Sequence, residues 1–132
     1  MVIEDSQEQE VWKNNARFWY CKAANNESHV GRLYHHLAII APGLERMFYY
    51  CKSLGVTQPF ASSRESILTA FDSIANADIS TKRGQCVNAS FIYLHSITFT
   101  QIGFEHFDVA LDGSLDTLNK IIGPLLRWKV KA

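Results

Sequence analysis

An all-α fold is predicted by three features of this sequence. Apolar residues recur at the three-and-four spacing of a helix face in every long segment. The breaks between those segments hold capping residues, proline and glycine. No alternating run of comparable length marks a strand. The expected architecture is about six helices stacked as antiparallel hairpins, in one helical domain over residues 1–132.

The elements follow in order. Ser6 and Gln9 fit a capping box in an acidic segment, which suits a helix N-terminus. The first helix is expected to bury Trp12, Ala16, Trp19, Tyr20 and Ala23, while Lys13 and Arg17, four apart, share another side and reach an anionic partner. Residues 25–28, Asn-Asn-Glu-Ser, end it, with Asn26 or Ser28 as the cap of the second helix. That helix carries the stripe Leu33, Leu37, Ile40 beside Tyr34, Ala38, Ala41, so it needs two neighbours. Pro42 and Gly43 stop it and turn the chain. The third helix is expected to pack through Leu44, Met47, Cys51 and Leu54, and the spacing from Met47 through Cys51 and Leu54 to Pro59 is tetratricopeptide-like.

Ser62 and Glu65 form a second capping box, and Ile67, Phe71 and Ile74 supply the core face of the fourth helix. A polar loop is expected near 75–84. The fifth helix, near 85–100, is apolar on nearly every side and so reads as central and buried. The sixth, near 103–122, is amphipathic through Phe104, Phe107, Leu111, Leu115, Leu118 and Ile122, with a kink expected at Asp112-Gly113. Gly123-Pro124 is expected to close it, leaving a short basic tail over 124–132.

Composition narrows the function. The net charge is zero, which argues against a generally basic nucleic-acid binder, yet the charge is unevenly spread. Residues 1–10 hold four acids; residues 11–64 hold seven bases against Glu27 and Glu45; residues 65–126 hold seven acids against three bases. Lys13, Arg17, Arg32, Arg46 and Lys52 are the candidate nucleic-acid or partner surface, joined by Tyr49, which is expected to share their face. Tyr34 and Tyr50 could also stack on bases, but aromatics at helical spacing are more often core, and that is the reading expected for these two. The bland alternative is a set of solvated helix faces.

No apolar run has the length of a membrane span, and the acidic N-terminus lacks a signal-peptide core, so an intracellular chain with no membrane partner is expected. Cys21, Cys51 and Cys86 are odd in number and read as reduced packing residues. His35 and His36 are adjacent, and so do not form the His-x-x-x-His pair of a helical zinc site. With no phosphate loop, nucleophile elbow or Cys-His signature either, no enzyme, cofactor or metal is expected.

Several stretches together carry a family resemblance. Gly-Arg-Leu-Tyr-His-His-Leu-Ala at 31–38, Phe-Tyr-Tyr-Cys-Lys-Ser-Leu at 48–54, Pro59-Phe60 and Arg64-Glu65-Ser66 resemble the EST/SMG family of ever-shorter-telomere proteins and nonsense-mediated-decay adaptors, particularly fungal members. The similarity is to their Est-type DNA/RNA-binding helical domain, over about residues 14–122. It implies a non-enzymatic adaptor in mRNA decay or telomere maintenance, acting in the nucleus and/or cytoplasm on RNA or DNA, with protein partners on a helical-repeat surface. A scaffold for proteins alone, or a trimmed paralogue, is the alternative. Phosphopeptide binding is not carried over, because the acidic residues 1–11 are unlike the segment that supplies a phosphate-binding base in relatives.

Overall fold

The computed structural model describes the backbone of residues 2–80 and 87–130 and the side chains of 5–73 and 90–127. Among them are six helices: α1 (Val2–Asn26), α2 (Gly31–Ile40), α3 (Gly43–Gly55), α4 (Ser62–Ser80), α5 (Val87–Thr100) and α6 (Phe107–Val130), with a 3-10 turn at Phe104–His106 before the last. The fold is all-α; among the described residues the only β pairing is one isolated bridge between Val30 and Gln58. The chain divides into two compact units, residues 1–67 and 68–132.

In the first unit α2 and α3 form a hairpin and α1 packs on α2. Pro42 adopts an extended conformation at the N-cap of α3, and Gly43 follows at φ 46°, so the expected breaker pair makes the turn. The core cluster is Ala24, Tyr34 and Leu37, with Tyr20, Cys21, Leu33, Ile40, Tyr49 and Val56 packed around it. Leu37 is 2% exposed, as its stripe requires.

The first turn of α2 is fastened by backbone. Neither Asn26 nor Ser28 caps it; Val30 is the N-cap and makes no side-chain bond. Instead the Gly31 amide donates to the Gln58 carbonyl at 2.8 Å and the Gln58 amide donates to the His29 carbonyl at 3.0 Å. The Phe60 amide in turn donates to the Ser53 carbonyl at 3.1 Å. An amide at a helix start needs an acceptor, and the segment after α3 supplies it. Gly31 is what permits this approach: a β-carbon there would lie 2.3 Å from the Ser53 oxygen and 2.7 Å from the Gln58 oxygen.

Several expected boundaries and faces differ. α1 already includes Val2, so Ser6 lies inside the helix and not at its cap. In α1 the packed stripe is Tyr20, Cys21 and Ala24, whereas Trp12 and Trp19 are 67% and 63% exposed. In α3 the buried residues are Met47, Tyr50 and Ser53, and Cys51 is exposed: burial turned by one position, because Ser53 has a hydroxyl partner in α4. α4 begins at Ser62 as expected and buries Ile67 and Phe71, but it continues to Ser80 through part of the expected loop. Alanines at 75 and 77 favour that continuation. The side chain of Ile74, the rest of that loop and Cys86 lie outside the described residues.

In the second unit α5 packs on α6. Gln101 at φ 57° and Gly103 at φ 78° turn the chain between them. Among the described side chains of this unit Phe71, Ile92, Ile97 and Ala110 are buried, while Phe91 and Tyr93 are exposed, so α5 is not enclosed on every side as its composition suggested. α6 runs through Pro124 and includes residues of the expected tail. A proline removes one helical hydrogen bond, and Pro124 is exposed, so water can take the freed carbonyl. Gly113 lies inside α6 with open space around it.

Candidate binding surface

The six residues singled out above fall into three groups. Arg17 reaches from α1 to α3, where its guanidinium is ion-paired to Glu45. Tyr49 sits beside this pair and against Cys21, packed on the core cluster. Burial, and then Cys21 and Glu45, push its phenol above the ordinary value, with Arg17 opposing. Tyr49 therefore does not join Arg46 and Lys52 on an open face; it faces α1. The reason is that α1 approaches through the side bearing Arg17, Tyr20 and Ala24.

Arg46 and Lys52 lie toward opposite ends of α3. At the hairpin turn, the Arg46 Nε donates to the Ala41 carbonyl at 2.9 Å and so satisfies a group at the end of α2. Lys52, in the last turn of α3, places Nζ 4.5 Å from the centre of the Tyr34 ring and 5.7 Å from that of Phe48. Tyr34 is 4% exposed and its hydroxyl donates to the Ser28 carbonyl at 3.2 Å, so it is a core residue. Tyr50 is buried too. Arg32 is exposed on the first turn of α2, and Lys13 is exposed on α1, 4.0 Å from Glu10.

All five cations are exposed; Arg17, Arg46 and Lys52 also contact groups outside their own helical turn, whereas Lys13 pairs only within α1. Lys22, which the charge pattern also contained, is exposed and lies over the Trp19 ring at 5.3 Å. Exposed aromatic surface in this unit comes from Trp12, Phe18, Trp19 and Phe48. Sequence reasoning assigned the tryptophans to the core; the signal against that was the competing stripe of Arg17, Tyr20, Cys21 and Ala24, whose spacing is equally helical.

A polar relay lies at the base of the hairpin. The fully buried Ser53 and Ser63 hydroxyls are 2.7 Å apart, and Ser63 Oγ is 2.9 Å from His35 Nδ1. The His35 ring packs on Tyr50, Phe60 and His36. Burial, followed by the neighbouring His36, lowers its pKa. A serine with no exposed surface is out of reach of a substrate, so this His-Ser contact joins α2, α3 and α4 structurally. Among the described residues no group of three His, Cys, Asp or Glu side chains is placed to hold a metal ion, and no helix is long and apolar enough to cross a membrane.

Residues 16–122 match the family model described as the Est1 DNA/RNA binding domain. The telomerase-binding protein EST1A of Danio rerio is 34% identical over 61 residues, 43% of this chain. The chain spans 4% of the length of that relative. No solved structure matches it.

Proposed function

The chain belongs to the family defined by the Est1 DNA/RNA binding domain, and on that premise we propose that it is a non-catalytic helical module that binds RNA or DNA. The observation that carries this reading is the overlap of the family match with the basic part of the sequence: residues 11–64 have seven bases against two acids. All five cations are exposed; Lys13 and Arg32 are its backbone-contacting residues, because Arg17, Arg46 and Lys52 also bridge to groups on other parts of the hairpin or on α3. The role that follows is an adaptor in a nucleus- or cytoplasm-based process such as telomere maintenance or mRNA decay, and the telomerase-binding relative supports the first.

A second reading, a scaffold for proteins alone, is favoured by the zero net charge and by the Arg17–Glu45 pair, which neutralises a base on the expected surface. Salt separates the two. Each phosphate contact releases counterions, so binding to labelled RNA or DNA should weaken with added salt, and Arg32→Ala should lower the slope of that dependence by about one unit without altering the fold. A chain that binds neither nucleic acid at low salt is a protein scaffold. The variant is chosen over reversal of Arg46 or Lys52, since those residues also support the hairpin.

A further inference from the structure

The outward face of α1 has a composition that the packed core does not use. Val11, Trp12, Phe18 and Trp19 are 59%, 67%, 61% and 63% exposed. They share one arc of the helix, because Trp12 and Trp19 are seven residues apart and about two turns bring the chain back to the same side. Two of the chain's three tryptophans are therefore in water, on the side away from Tyr20, Cys21 and Ala24. From 11 to 26 the sequence contains Lys13, Arg17, Lys22, four asparagines and no acid. Acid resumes at Glu10 and Glu8 on the N-terminal side and at Glu27 just past the helix, and these set the limits of the surface.

We infer that this face is a stacking surface for the unpaired bases of a single-stranded nucleic acid, with Trp12, Phe18 and Trp19 meeting bases and Lys22 meeting the phosphate backbone. It rests on the nucleic-acid reading above and deepens it by naming the form of the ligand and where its bases go.

Four features favour that occupant over an apolar protein helix. Apart from Val11, the exposed apolar groups are flat rings, which accept any base on their faces, and stacked bases are reached only when the strand is unpaired. Phe18 and Trp19 stand edge to face, with centroids 5.3 Å apart and planes at 80°, so their two ring planes point in different directions and present separate stacking surfaces. Lys22 Nζ already lies 5.3 Å from the Trp19 ring centre; a base arriving there releases the ammonium to the adjoining phosphate, and no carboxylate lies between residues 11 and 26 to compete for it. Trp12 and Trp19 are about 10 Å apart along the axis, the length of about three base steps. The tyrosines first considered for stacking on this hairpin, Tyr34 and Tyr50, are buried and cannot serve.

The test titrates the full chain with labelled oligouridylate, labelled oligothymidylate and a duplex DNA of equal length at two salt concentrations. The parent is expected to bind both single strands more tightly than the duplex, with quenching of tryptophan fluorescence. Trp12→Ala and Trp19→Ala should each weaken single-strand binding about five- to hundredfold, the effect of losing one stacked base, with the salt slope unchanged. Trp19→Phe should retain most of the affinity, and Lys22→Ala should lower the slope by about one unit. Because both indoles are exposed, the variants should keep the parent's helical spectrum and melting midpoint. If the folded double variant binds as the parent does, or the duplex binds best, the α1 surface is not the base site, although the nucleic-acid reading stands. If the parent binds no nucleic acid at low salt, that reading fails and takes this one with it.

Discussion

Gly31 is the position where a single atom decides the hairpin. Its amide bonds to Gln58, and its α-carbon lies so close to the Ser53, Gln58 and Phe60 backbones that a methyl group has nowhere to go. Backbone cannot swing aside as a long side chain can, so Gly31→Ala should cost about 3 kcal/mol or more, at or beyond the usual range for overpacking. The measurement is the denaturation midpoint; a variant as stable as the parent would refute the close approach. His35 adds a dependence on pH. In the neutral tautomer protonated on Nε2, Nδ1 accepts the Ser63 proton and Ser63 accepts from Ser53. Protonation makes Nδ1 a donor and forces Ser63 to turn its proton toward Ser53. Since the folded pKa is lowered, the unfolded chain binds the proton first as pH falls below about 6.5, and stability rises with pH through that window. Unfolding followed from pH 7.5 down to 5, in parent and His35→Asn, should show a fall that is shallower in the variant.

At the scale of the element, helical periodicity fixes which residues share a face but not which face is covered. In α1 two stripes compete. Trp12 and Trp19 carry the larger apolar area, yet Tyr20, Cys21 and Ala24 are packed, because small residues let α2 come near and Arg17 meets Glu45 on α3. In α3 the same uncertainty of one position moved Cys51 to the surface, where partial burial still pushes its thiol up. α6 shows the limit of breaker rules. Gly123-Pro124 would end a helix judged by propensity, but α6 continues to Val130 past an exposed Pro124. Pro124→Ala restores the amide and removes the ring, so it should stabilise α6 by up to about 3 kcal/mol. An increase in helical ellipticity and in melting midpoint is the expected readout; a lower midpoint would show that Pro124 is required where it stands.

For the whole molecule, charge is partitioned rather than abundant. Thirteen bases balance thirteen acids, and of the seven bases over residues 11–64 Arg17, Arg46 and Lys52 meet protein groups elsewhere in the first unit. With Lys13, Lys22 and Arg32 making phosphate contacts, the salt slope for single-strand binding should be about two, and for duplex about three. A slope of about five for a single strand, or about six for duplex, would mean that all seven bases of residues 11–64 make phosphate contacts, those engaged in the fold included. The family match spans both compact units, so the second, with Leu115, Leu118, Ile122, Leu125 and Leu126 exposed along α6, belongs to the same domain family as the basic one.

The sequence by itself determined the helices, the Pro42-Gly43 turn, the burial of Leu37, Ile67 and Phe71, and the family, since each depends on local spacing, backbone chemistry or wording that is present in the chain as written. The candidate surface was legible only in part. Lys13, Arg17, Arg32, Arg46 and Lys52 are all exposed, but Arg17, Arg46 and Lys52 also met protein partners, Tyr49 is half-buried, and Trp12, Phe18 and Trp19 came to the surface. Those outcomes were decided by tertiary structure: a cation, a phenol or an indole is equally compatible with either side of a helix until a second helix arrives. Which side is then lost to water depends on the closeness that Gly31 and Ala24 allow and on the partners, Glu45, Ala41 and Tyr34, that distant segments present.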